Sequence, residues 1–145
     1  MNDDPSEEPT YLPLEGVRIL DMATVVAAPL GATLCADLGA ETVKLELPTG
    51  VDPLRSLAPV IDGKPVWWKV ANRGKRGISL DVRKPKGREL LLRLLPHFDV
   101  LLENFRTGTM ARWGLDAPTL FAANPRLIIV RLTGYGQTGA YATRP

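Results

Sequence analysis

Short apolar runs alternate along this chain with stretches in which apolar residues recur every three or four positions. Val17-Arg18-Ile19-Leu20-Asp21-Met22 predicts a strand. Pro29 then predicts a helix start, Leu30, Leu34 and Leu38 fall at four-residue spacing, and Gly39 predicts the C-terminal stop. Thr42 to Leu47 alternates as a second strand, and Pro48 to Pro65, rich in proline and glycine, predicts a long loop of the kind that often carries function. Ile78 to Val82 predicts another strand. Pro85 opens a helix with Leu90, Leu91, Leu94 and Leu95 on one stripe, ended by Pro96. Asp99 to Glu103 predicts a strand, and a helical region follows from about Thr109 to Ala123, with Asp116 as an N-cap before Pro118. Arg126 to Leu132 is the most apolar strand candidate.

Strands alternating with helices imply βαβ units: an α/β fold with a Rossmann-like, mainly parallel sheet flanked by helices. Ligands of such sheets sit beyond the carboxyl ends of the strands. The loops after Met22, Leu47, Val82, Glu103 and Leu132 therefore become the candidates for contact. Residues 1–13, with three prolines, four acids and no apolar periodicity, predict a flexible acidic leader, and 14–145 the folded part.

Composition narrows the function classes. The 145 residues, 45% hydrophobic and 23% charged, suit about one globular domain. A single cysteine, Cys35, excludes an internal disulfide and a Cys-cluster metal site, and a single histidine, His97, excludes a His-rich one. No apolar run reaches the roughly 18–20 residues of a membrane span, and the acidic start opposes a signal peptide's basic n-region. A cytoplasmic location is expected.

The net charge of +2 is unevenly placed. Lys64 to Arg93 holds ten basic and two acidic residues, a local +8 that leaves −6 for the remainder. Such a field attracts an anionic partner, although a solvated basic helix face would look the same.

Gly134-Tyr135-Gly136-Gln137-Thr138-Gly139 matches G-x-G-x-x-G after a predicted strand. It lacks the helix and the downstream acid that a dinucleotide site needs. The first strand, where that fingerprint normally sits, is followed by Thr24-Val25-Val26-Ala27-Ala28-Pro29, with no glycine. His97 at a helix end and Cys35 beside an apolar stripe read as structural. Asp21, ending the first strand, is read as pairing locally or capping the next turn in preference to acting as a base. Trp67 and Trp68 read as core cover, with stacking on a ligand as the alternative.

A stronger constellation is Asn72-Arg73-Gly74-Lys75-Arg76-Gly77, then Leu80-Asp81-Val82-Arg83, Asn104-Phe105-Arg106 and Arg112. These segments bring guanidinium, ammonium and amide donors to predicted strand ends. Arginine forks match phosphate oxygens, lysine supplies mobile charge, and helix N-termini add anion affinity. Apolar residues between them suit a nucleotide-like molecule better than a polynucleotide, and no nucleic-acid partner is expected.

These strings, together with LEGVRILDMATVVAAP, GAETVKLELP, GLDAPTL, NPRLI and RLTGYGQTGAYATRP, resemble the family III CoA-transferases, relatives of formyl-CoA transferase and alpha-methylacyl-CoA racemase, from about Leu14 to Pro145. The resemblance implies a Rossmann-like large domain and a homodimer interlocked as rings. It also implies transfer of CoA between an acyl-CoA and a carboxylic acid, with no tightly bound cofactor and CoA or acyl-CoA as substrate. It places CoA contacts on Val26, Ala27, Leu80, Asp81, Val82, Arg83, Asn104, Phe105, Arg106, Arg112, Thr133, Gly134, Tyr135 and Gly136, to which the basic constellation adds Arg73 and Lys75. Leu47 stands where some relatives have arginine, and Ala140 where proline is usual. In the family an aspartate nucleophile follows R-P within a few residues, so the chain is expected to be an N-terminal part that stops before it. No catalytic residue is assigned within the 145.

Overall fold

The structure is a computed structural model, and residues 11–48 and 52–144 are described. In chain order the elements are β1 (Arg18–Asp21), α1 (Ala27–Asp37), β2 (Glu41–Glu46), a 3-10 turn (Pro53–Arg55), β3 (Val60–Ile61), β4 (Lys64–Pro65), α2 (Val66–Ala71) and β5 (Arg76–Ser79). Then follow α3 (Pro85–Leu94), a second 3-10 turn (Leu95–His97), β6 (Val100–Glu103), α4 (Thr109–Arg112), α5 (Ala117–Ala123) and β7 (Ile128–Arg131). Five strands form one parallel sheet in the order β5-β2-β1-β6-β7. Counted within the sheet this is 3-2-1-4-5, half of a doubly wound Rossmann sheet, with its topological switch point between β1 and β6. The expected α/β, mainly parallel architecture is the one found.

Period-two alternation divides the strands between two faces. Leu20, Leu45, Leu101 and the half-buried Ile129 meet Leu91 and Leu95 from the α3 side, Met110 of α4 and Leu120 of α5 in the larger core. Each fully buried leucine contributes roughly 1.5–3 kcal/mol. On the opposite face Ile19 and Leu102 pack against Ala28 and Ala32 of α1. That helix buries small residues, and the expected leucine stripe lies outside: Leu34 and Leu38 are exposed. Small side chains let α1 approach the sheet closely, and its stop is the predicted one. Gly39, at φ +102°, donates to Ala36 O while Ala40 N donates to Cys35 O, a Schellman closure.

Other boundaries moved for local reasons. β5 begins two residues before the predicted strand, and Val82 reaches the core from a loop instead. Gly87 permits this, because a Cβ there would sit 2.0 Å from Asp81 O, so α3 presses directly on the 81–82 backbone. Pro96 does not end the helical path but sits inside the second 3-10 turn. The helical region after Thr109 divides at Gly114, φ +71°, and restarts at Asp116, whose carboxylate accepts from Thr119 N at 3.0 Å as an N-cap. The expected loop carries a 3-10 turn and a small β3–β4 hairpin turned by Asp62-Gly63, both at positive φ. Trp67 is exposed, contrary to a core role, and Trp68 is half-buried under the Arg55 guanidinium, 3.6 Å from its ring centre. Most of the expected leader lies outside the described residues; Tyr11 and Leu12 are exposed. Among the described residues no helix is long and apolar enough to cross a membrane.

Candidate functional site

At the switch point the β1–α1 turn has no glycine, and side chains from distant segments hold its backbone. Asp21, fully buried at the end of β1, accepts from Ala23 N at 3.0 Å and from Lys75 Nζ at 2.7 Å, with Lys44 Nζ 3.6 Å away. It therefore caps the turn, as its position predicted, while its ion pair is with Lys75, 54 positions along the chain. Lys44 Nζ donates to Ala23 O. Across the crevice Asn104 accepts from Thr24 N at 2.8 Å and donates Nδ2 to Thr24 O at 2.8 Å. Asp52 accepts from Val25 N. Three side chains, Asp21, Asn104 and Asp52, thus occupy the main-chain N–H groups that a glycine-rich loop would have offered to a phosphate, while Lys44 and Asn104 satisfy two of the carbonyls.

Burial pushes the Lys75 ammonium below the usual lysine value, with Asp21 opposing that shift. Lys75 also donates to Pro29 O, Ala71 O and Asn72 Oδ1, and its side chain is 1% exposed. The sequence reading made it a mobile charge for phosphate; the structure places it in the scaffold. Glu103, at the end of β6, is pushed up from the usual carboxylate value by burial, against a hydrogen bond from Phe105 N and the nearby Arg131.

Above this floor opens a groove of about 380 Å³. Ala27 lines one side, Asn104, Phe105 and Arg106 the loop after β6, and Thr133, Gly134 and Tyr135 the loop after β7. Seven of the sixteen expected contact residues thus meet in one place. Val26 is the N-cap residue of α1 beside Ala27, and Gly136, at φ +79°, turns the chain just after Tyr135. Arg112 lies one short helix beyond, donating Nη2 to Thr109 Oγ1 at 2.8 Å.

The remaining expected residues sit elsewhere. Arg73 pairs with Asp37 and donates to Val70 O on the surface. In the 80–83 segment, Leu80 packs against the larger core and Val82 is wholly buried, so the side chain of Val82 has no route to a ligand. Arg83 grips Asp81 through Nε at 2.7 Å and Nη2 at 3.0 Å, which holds the Asp81 carboxyl below its usual range. His97 is exposed and Cys35 half-buried against the smaller core.

Sequence reasoning missed four groove residues, Thr107, Leu132, Ala142 and Arg144. The buried hydroxyl of Thr107 has no hydrogen-bond partner among the described residues, Arg144 stacks 4.3 Å from the Tyr141 ring centre, and Leu132 gives an apolar wall. The G-x-G-x-x-G string does not open a helix here. It forms bends and turns with no helix following among the described residues, so the fingerprint's geometry is not the one found, and its Tyr135 ring lies 5.9 Å from that of Tyr141 just beyond the string.

A parallel 3-2-1-4-5 sheet with a groove at its switch point defines the class as a Rossmann-like α/β domain. The model of the CoA-transferase family III matches residues 14–145, and the chain belongs to that family. It is 47% identical over 137 residues to the succinyl-CoA–L-malate CoA-transferase beta subunit of Chloroflexus aurantiacus, covering 94% of this chain and 34% of that protein. It is 40% identical to the succinate–glutarate CoA-transferase of Agrobacterium fabrum, covering 98% and 36% respectively. The crystal structure of a CAIB/BAIF family protein from Brucella suis superposes with a TM-score of 0.82 at 42% identity, over 92% of this chain and 36% of that one. The chain therefore spans about a third of the length of the curated relatives it matches.

Proposed function

We propose that this chain forms the CoA-binding part of an enzyme that moves CoA from an acyl-CoA thioester to a carboxylic acid. One observation carries the reading: Ala27, Asn104 to Arg106 and Thr133 to Tyr135, far apart in sequence, converge on the groove at the switch point. Arg106 and Arg144 supply guanidinium groups at that groove, and Phe105, Leu132 and Tyr135 supply apolar and flat surface. A CoA thioester has the matching parts: phosphates for the guanidinium forks and a long, weakly polar arm for the walls. Asn104 has both its oxygen and one amide hydrogen engaged by Thr24, so it offers a ligand its second N–H from a fixed orientation. Val26, the backbone of Leu80 to Arg83, Arg112 and Gly136 extend the cradle in this reading.

Among the described residues no carboxylate lines the groove, and Glu103 lies beneath it, tied to Phe105 N and Arg131. In the proposed reaction the attacking aspartate comes from polypeptide beyond Pro145. Its oxygen adds to the thioester carbonyl and expels the CoA thiolate, leaving a mixed anhydride. The thiolate then takes the aspartyl carbonyl, releases the first acid and forms an aspartyl thioester, from which the acceptor acid collects CoA by the reverse steps. Within this reading two copies interlock, and the enzyme works in the cytoplasm on acyl-CoA and carboxylic acid substrates. Because relatives are named for succinyl-CoA, that thioester is the first donor to try.

The lack of a groove carboxylate favours one alternative, a CoA-binding module without catalysis of its own. Calorimetric titration with CoA at low and high salt tests the binding common to both readings. Saturable binding that weakens with salt is expected, and absence of binding at low salt overturns both. A transfer assay with succinyl-CoA and small dicarboxylic acids, run on a longer protein that includes polypeptide beyond Pro145, then separates enzyme from module.

A further inference from the structure

Asp52 is 2% exposed, and among the described residues its hydrogen bonds come from main-chain N–H groups. Leu54 N donates to Oδ1 at 3.0 Å, and Val25 N lies 3.0 and 3.1 Å from the two oxygens. Val25 has φ +65°, the left-handed region that a β-branched residue rarely adopts. It directly precedes Val26, the N-cap of α1, and Ala27, on the groove wall. A glycine would hold that shape without help, but none is present in the turn. The tether is itself anchored: Arg55, in the 3-10 turn that Asp52 caps, donates to Glu46 at 2.9 and 2.6 Å and stacks on Trp68.

We propose that Asp52 is a positioning residue, which clamps Val25 in its left-handed conformation and so sets the wall that Val26 and Ala27 present to the thioester. Asp52 is not part of the groove lining and acts through Val25. The inference rests on the reading that the groove takes a CoA thioester, and its selectivity lies in that dependence. Among the described residues the other tethers of the turn hold Ala23 and Thr24, neither at positive φ, whereas Asp52 holds Val25 at φ +65°.

The test compares CoA affinity in the wild-type chain, Asp52→Ala, Asp52→Asn and Asp52→Ala combined with Val25→Gly, with amide hydrogen exchange at residues 24–27 read alongside. Removing the clamp is expected to weaken CoA binding about tenfold and to speed exchange at Val25, with Asp52→Asn about threefold weaker than wild type. Glycine at position 25 adopts positive φ unaided, so the double variant is expected to regain most of the lost affinity. A role in general stability alone predicts no such rescue. Should Asp52→Ala not fold, Asp52→Asn with and without Val25→Gly carries the same comparison. Wild-type binding with Asp52→Ala within about twofold of it overturns the inference alone, as does a double variant no tighter than the single. Failure of the wild type to bind CoA overturns the reading of the groove and the inference with it.

Discussion

The β1–α1 turn and the basic run from Lys64 to Arg93 both concentrate charge, yet they use it in opposite ways. At the turn, Asp21, Lys44 and Asp52 are each at most 2% exposed, and every one of them holds backbone. Along the basic run, Arg73, Arg76 and Arg83 lie at the surface and pair with Asp37, Glu41 and Asp81. Two of those acids lie outside the run, so a stretch that is +8 along the chain is partly neutralised in space. One member of the run, Lys75, belongs to the turn's network and contributes nothing to a surface field. Density of charge in sequence therefore did not locate the groove. The strand order did, by bringing the ends of β1, β6 and β7 side by side.

Five substitutions sharpen this contrast. The largest effect is expected from Asp21→Asn, which leaves the Lys44 and Lys75 ammonium groups inside the protein without their carboxylate. A loss of about 3–5 kcal/mol in urea unfolding is expected; a loss under about 1 kcal/mol would mean that the network is not a structural hub. Next comes Asn104→Ala, which strips Thr24 of partners for both its N–H and C=O. It should cost about 1–3 kcal/mol and weaken CoA binding as well, the latter read by calorimetry.

Smaller, and specific to ligand, is the pair Arg106→Ala and Arg73→Ala. The first should weaken CoA about tenfold, near 1.4 kcal/mol. The second should leave affinity within about twofold, since Arg73 spends its guanidinium on an exposed ion pair. Equal losses in both would return the site to the basic run.

The smallest effect concerns pH. Burial raises the Glu103 carboxyl above its ordinary 4.5, so the folded chain keeps that proton to higher pH than the unfolded chain does. Its contribution therefore favours folding fully below about pH 4.5 and is lost as pH rises through the raised value. Glu103→Gln has no proton to release, so the stability difference between wild type and variant should fall across that window. Stability measured from about pH 4 to 7 checks the sign.

Strands were the most legible elements because each is a short apolar run bounded by polar or turn residues. β1, β6 and β7 lie inside their predicted ranges, and β2 begins one residue before its own, at Glu41. Ile78 to Val82 misled because a buried loop pressed under α3 at Gly87 needs the same apolar residues as a strand. The leucine stripe of α1 misled for a related reason. Periodicity marks a helix, but the close approach of α1 to the sheet selects Ala28, Ala32 and Thr33 for the buried face. At the site, Asn104 to Arg106 and Thr133 to Tyr135 were legible through motifs at strand ends. Thr107 and Arg144 were not, since nothing local marks a side chain that completes a groove built by other segments.

What the sequence determined by itself was therefore the part set by neighbours along the chain: element order, helix ends at Gly39 and Asp116, the parallel α/β class and the family motifs. Tertiary structure alone decided which charges are surface groups and which are scaffold. Asp21 and Lys75 stand 54 positions apart, and Val25 and Asp52 stand 27 apart. Whether a charge is desolvated, and whether it finds a partner there, depends on segments that only folding brings together.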